Sequence, residues 1–205
     1  MPKYLLHYFD MKGRGEIIRF LFAAGGVQYE ENVVQLPDWP AQKPNHALGL
    51  LPVLEIDGKP FPESISISRY LAAEFGLQGK TNLDNLLIDV VVDQCLFLRE
   101  AFCDANFEGE KLKQDAELHR KFKDETLPRL FGYIEKVISG NSTGSGFVVG
   151  DQMTWGDLVL IDLCDIIARD PSILTPYKVI NEHRKKVEAL PKIANYIKNR
   201  PLREF

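Results

Sequence analysis

The strand and helix signals of this chain change character near residue 80, and that change limits the fold more than any other feature. Before it the two kinds of signal alternate. Lys3 to Tyr8 is rich in strand formers, and Glu16 to Ala24 crowds apolar residues over most of a helix surface until Gly25-Gly26 ends it. Tyr29 to Val34 reads as a second strand and Pro52 to Ile56 as a third. Asp57-Gly58 supplies a turn into a short fourth strand, Lys59 to Phe61. Ser64 to Phe75 is an amphipathic helix closed by Gly76. After the change, Leu83–Phe102, Lys111–Ile138, Thr154–Ala168 and Lys178–Glu188 all favour helix, with Pro128 expected to kink the second. Asn141 to Gly146 is a flexible loop, and Pro171, Pro176, Pro191 and Pro201 divide the tail into short pieces.

A β-α-β unit followed by a hairpin and a helix is the thioredoxin-like order. The fold expected is therefore an α/β thioredoxin-like domain over residues 1–78, a linker near Gly76 to Asn82, and an all-α domain over 83–205. A chain of 205 residues is long enough for two small domains. Thr154-Trp155-Gly156-Asp157 has the form of a helix capping box, with Asp in place of the usual Glu.

Composition removes several function classes. A formal charge of −4 gives no reason to expect nucleic acid or an anionic membrane as partner. No run approaches the roughly 18 apolar residues of a spanning helix. The opening MPKYLLHYFDMKGRGE reaches Asp10 and Lys12 after a very short apolar run, unlike a secretory signal. Cys95, Cys103 and Cys164 form no CxxC pair and fit a reducing cytoplasm. The four histidines form no motif, and no HExxH, EF-hand loop, P-loop or GxSxG is present, so no metal is expected.

The residues that could carry chemistry sit at element ends. Tyr8 closes the first strand, and Gly13, Arg14 and Gly15 open the helix after it. Helix amides point to such a junction and favour negative charge. The loop Phe9-Asp10-Met11-Lys12 lacks cysteine, which excludes disulfide exchange there. A phenol at the strand end could donate to an anion lying across the helix start, or Tyr8 could simply be a half-buried strand tyrosine. Leu51-Pro52 opens a strand; a cis bond there would turn the Leu51 backbone toward a ligand, and a trans turn would not. Glu63 and Ser64 precede a helix and could bind the zwitterionic end of an amino acid or merely cap it. Trp39 and Lys43, in the connection from Pro37 to Gly49, could hold a carboxylate or be a packed indole and a solvated lysine.

Taken together, YLLHYFDMKGRGEIIRF, the DWP at Asp38 to Pro40, LLPVLEIDG, ESISISRYLAAEFGL, GDQMTWGDL and PKIANYIKNRP resemble the sigma class of cytosolic glutathione transferases, invertebrate type, from end to end. The resemblance implies a cytoplasmic detoxifying enzyme that conjugates glutathione, as co-substrate and with no tightly bound cofactor, to hydrophobic electrophiles. It implies that Tyr8 donates to the glutathione sulfur, supported by Arg14. Leu51, before a cis-Pro52, would pair with the cysteinyl residue. Trp39 and Lys43 would hold the glycyl carboxylate, and Glu63 and Ser64 the γ-glutamyl end. The second substrate would lie between Phe9, Gly13 and the inner face of the Leu83–Phe107 region. A homodimer is implied too. Many members have Gln where this chain has Glu63, and an acidic pair where it has Leu96 and Phe97. The prostaglandin D synthase of the class has an aromatic residue near Asp104. A non-catalytic ligand carrier or crystallin-like protein, or a glutathione-dependent prostaglandin H to D isomerase, are the alternatives.

Overall fold

The computed structural model describes residues 2–108, 111–112, 115–168 and 171–203. They form two compact units, one of residues 2–77 together with 190–203, the other of residues 78–189.

The first unit is built on a four-stranded sheet of order β2-β1-β3-β4, comprising β1 (Tyr4–Phe9), β2 (Glu30–Val34), β3 (Val53–Ile56) and β4 (Lys59–Pro62). β1 runs parallel to β2 and antiparallel to β3, which pairs antiparallel with β4. This is the thioredoxin-like order read from the sequence. Pro60 and Pro62 are confined to the edge strand, where a missing N–H disturbs the ladder least. Along β1 burial alternates, so Tyr4, Leu6 and Tyr8 share the buried face. Tyr4 meets Phe22 of α1 (Glu16–Gly25) at 5.2 Å between ring centroids. Helix α1 is buried almost all round, and its C-terminus is closed by Gly26 at φ 70°, whose amide donates to Phe22 and Ala23 carbonyls. α3 (Ser64–Glu74) packs beside α1, and the short α2 (Trp39–Gln42) lies in the connection between β2 and β3.

Residues 191–199, between two of the tail prolines, form a short helix, α9 (Pro191–Asn199). Pro191 occupies its first turn, where the missing N–H costs nothing, and the helix stops before Pro201. This segment groups with the first unit. Tyr196 and Arg200 reach Glu16 of α1, at 2.9 and 2.8 Å.

The second unit holds α4 (Asn82–Asn106), α5 (Ala116–Lys121), α6 (Leu127–Ser139), α7 (Trp155–Ile167) and α8 (Lys178–Glu188). α7 is buried nearly all round, packed on α4 and α8. Arg99 of α4 donates to Asp162 of α7 inside this core. The helix expected over Lys111–Ile138 is not continuous. Phe107–Glu108 (β5) and Lys111–Leu112 (β6) pair as strands, and residues 113–114 lie outside the described residues. Further on, Phe122–Thr126 widens into a π-turn ahead of Pro128, which has no N–H to continue the α-helical ladder. Cys95 and Cys164 are buried, and burial pushes the Cys164 thiol up to about 12. Among the described residues no helix is long and apolar enough to cross a membrane.

Candidate active site

The sheet register gathers the sequence-predicted residues of the first unit. His7 lies opposite Val53, and Val53 opposite Pro62. The C-terminal end of β1 is therefore beside the start of β3 and the end of β4. Tyr8, Pro52 and the pair Glu63-Ser64 fall in one row across the sheet. On the other side Phe9 lies opposite Val34, the last residue of β2, from which the chain enters the segment carrying Trp39 and Lys43. One sheet edge thus serves residues that are far apart in sequence.

Tyr8 is 5% exposed, and its phenol oxygen accepts from the Arg14 amide at 2.7 Å. Arg14 itself is exposed, in the turn Gly13–Gly15 that leads into α1. The turn can close over the ring only because it carries glycines. A Cβ on Gly13, whose φ is +39°, would stand 2.3 Å from the Tyr8 oxygen. One on Gly15 would stand 2.3 Å from Tyr8 Cδ1. An amide donating to the phenol oxygen polarises the O–H.

The neighbouring residues are ordered by ring contacts. Phe9 meets Trp39 edge-on at 5.4 Å, Trp39 meets His46 at 5.4 Å, and His46 meets His7 at 5.8 Å. His7 in turn bonds Glu55 at 3.0 Å and Asn32 at 2.9 Å. Burial, with His7 beside it, lowers the His46 pKa and favours the neutral ring. Lys43 is exposed.

The Leu51-Pro52 peptide bond is cis, one of the two alternatives the sequence left open. Glu63 adopts φ 76°, ψ 100° at the start of α3, an uncommon backbone for a residue with a side chain. Ser64 behind it is 6% exposed, in the first turn of the helix. Among the described residues no cluster of three or more His, Cys, Asp or Glu could hold a metal.

Sequence reasoning missed the polar groups beneath this site. Arg19 and Glu16 are buried in α1, 1% exposed each, and the Arg19 guanidinium lies 5.5 Å from the centroid of the Tyr8 ring. Burial works against the Arg19 charge, but Glu31 and Glu16 outweigh it and its pKa is raised. The signal was present: a Glu and an Arg three apart in the otherwise apolar EIIRFLFAA.

Residues 5–73 match the family model described as Glutathione S-transferase, N-terminal domain, and residues 98–200 match that of the C-terminal domain. The chain belongs to the glutathione S-transferase family. This transferase is 38% identical over 208 residues to Glutathione S-transferase 1 of Ascaris suum, covering 98% of each chain. It is also 38% identical over 202 residues to S-crystallin SL11 of Nototodarus sloanii, again covering 98% of each. Among solved structures it superposes on a Nu-class GST from Haemonchus contortus with a TM-score of 0.88 and 31% identity, over 100% of both chains.

In this transferase, Gly15→Ala is expected to push the Tyr8 ring aside and lower glutathione-dependent turnover by about tenfold or more, since small misplacements of a reacting group are costly. Steady-state kinetics would check it, and an unchanged kcat would mean that the ring can move without loss.

Proposed function

We propose that this enzyme is a sigma-class glutathione transferase in which Tyr8 stabilises the thiolate of bound glutathione for attack on apolar electrophiles. The observation that carries the reading is the Arg14 amide on the Tyr8 oxygen, which fixes the hydroxyl at the strand end beside the helix start. A free thiol with pKa about 8.5 is mostly protonated at neutral pH, and the thiolate is the nucleophile. Each unit by which the site lowers that pKa corresponds to about 1.4 kcal/mol of preferential thiolate stabilisation.

The remaining roles follow the row at the sheet edge. Arg14 adds positive charge near the sulfur. Leu51, preceding the cis bond, offers its backbone to the cysteinyl residue, with Pro52 holding the turn. Ser64 and the amides of the α3 start receive the γ-glutamyl carboxylate, and Glu63 accepts from its ammonium. Trp39 and Lys43 take the glycyl carboxylate. Phe9 and Gly13 wall the electrophile side. Leu96 and Phe97 supply no carboxylate for a partner's glutathione, so each subunit of the proposed homodimer binds its own. Sedimentation at the monomer mass of 23.3 kDa would overturn the dimer. A cytoplasmic detoxifying role suits this chemistry.

A second reading is supported by the 38% identity to an S-crystallin: a protein of this fold that fills space without turnover. Initial rates with a chlorodinitrobenzene electrophile, with and without glutathione, separate the two. Glutathione-dependent product formation supports the transferase. A folded protein that binds glutathione and forms no product supports the crystallin-like reading.

A further inference from the structure

The loop between Tyr8 and Arg14 holds an amide 2.7 Å from the phenol oxygen. Its backbone is tied down from beneath. Arg19 Nη1 donates to the Met11 carbonyl at 2.8 Å and Nη2 to that of Phe9 at 3.4 Å. The Lys12 carbonyl accepts from the Glu16 amide at 2.9 Å. The Asp10 side chain of the loop is held at its tip by Arg203, whose Nε donates at 3.0 Å.

Arg19 is itself held by two carboxylates, and each of them is bridged to the C-terminal tail. Glu31 takes Arg19 on Oε1 and Arg203 Nη2 on Oε2, the latter at 3.2 Å. Glu16 takes Arg19 Nη1 on Oε2 at 3.1 Å and Arg200 Nη1 on Oε1 at 2.8 Å. Three arginines and three carboxylates balance in formal charge. Exposure rises outward, from 1% at Arg19 and Glu16 through 8% at Arg203 to 60% at Asp10. Buried ion pairs of this kind contribute little net stability against apolar replacements, but they fix geometry because each charge needs its partners.

We propose that the tail arginine Arg203, with Arg200 behind it, is a positioning residue for the reaction: through Asp10, Glu31 and Glu16 it sets Arg19 and the 9–14 loop, and so the Arg14 amide against Tyr8. The proposal rests on the reading of Tyr8 as the thiolate donor. Arg203 reaches the loop through the Asp10 side chain, so its effect travels by geometry.

Two variants distinguish positioning from simple charge. Arg203→Ala leaves the cluster one unit more negative, and Asp10→Asn leaves it one unit more positive. A through-space field would move the pKa of the bound glutathione thiol in opposite directions, upward for the first and downward for the second. Positioning moves both upward, since either change releases the same loop. The measurement is the thiolate absorbance of the glutathione complex against pH, with kcat profiles alongside. Both variants are expected to shift the thiol pKa upward and to lower neutral-pH kcat by about fivefold to tenfold, with the glutathione Kd within about twofold. The double variant should be no worse than the poorer single one, because both break the Arg203–Asp10 contact. Arg203→Lys, which reaches one carboxylate but not both, should recover part of the loss.

Opposite shifts, or a lowered unfolding midpoint with wild-type thiol pKa, would overturn the proposal. Asp10→Asn carries the test alone if Arg203→Ala does not fold, as Asp10 is mostly exposed. Tyr8→Phe measured beside them separates the two levels. A shift in Tyr8→Phe with silent tail variants removes only the tail's role, and a silent Tyr8→Phe removes the Tyr8 reading and the tail proposal together.

Discussion

Tyr8→Phe is expected to lower kcat for glutathione conjugation by about tenfold to a thousandfold, the range seen when one oriented donor to a developing or bound anion is lost. The fold should persist. The phenyl ring keeps its place against Gly13 and Gly15, and the acceptor for the Arg14 amide disappears, a loss of about 1 kcal/mol in stability. The two effects are therefore separable: an equilibrium unfolding curve close to wild type with a collapsed rate. The variant should also raise the pH at which kcat reaches half its plateau, because more alkali is then needed to make the thiolate. Unchanged turnover would sink the role proposed for Tyr8, whatever the fate of the other assignments.

The largest expected effect on stability lies in the second unit, at Asp157→Ala. The Asp157 carboxylate is fully buried and serves four donors. Oδ1 accepts from the Val148 amide at 2.8 Å and pairs with His183 Nε2 at 2.8 Å, while Oδ2 accepts from the Thr154 amide at 2.7 Å and from its hydroxyl at 2.8 Å. Among the described residues His183 Nδ1 has no partner. Truncation to Ala strands these donors inside the protein and removes the capping box of α7. A cost of about 4 kcal/mol follows from several unsatisfied buried groups at once. For a chain of this size that corresponds to a fall of about 10 °C in Tm. Calorimetry or urea unfolding would check it, and a change below about 1 kcal/mol would mean that water or a shifted loop replaces the carboxylate.

Much of this was legible in the sequence because it is local. Strand formers marked Lys3 to Tyr8, Gly25-Gly26 ended α1, and Thr154-Asp157 announced the cap. The cis alternative at Leu51-Pro52 could be named and not chosen, since both isomers suit a proline at a strand start. What stayed hidden is non-local. Arg200 and Glu16 are 184 residues apart, and nothing near either in sequence points to the other. The prolines marked where the tail divides, but only the packing of Tyr196 on Phe20 shows where the piece that begins at Pro191 lies. The pairing of Phe107–Glu108 with Lys111–Leu112 likewise interrupts a segment whose charges read as helix.

The discontinuity of the first unit has a consequence for biosynthesis. Its strands are made before the helical unit, while the helix that covers α1 and the arginines that reach Asp10, Glu16 and Glu31 are made after it. Between them lies the entire helical unit, so closing the first unit takes contacts of very long range in sequence. During translation Glu16 and Arg19 lack part of their final surroundings until the whole of the second unit has emerged. The first unit is thus completed only after the second has been made.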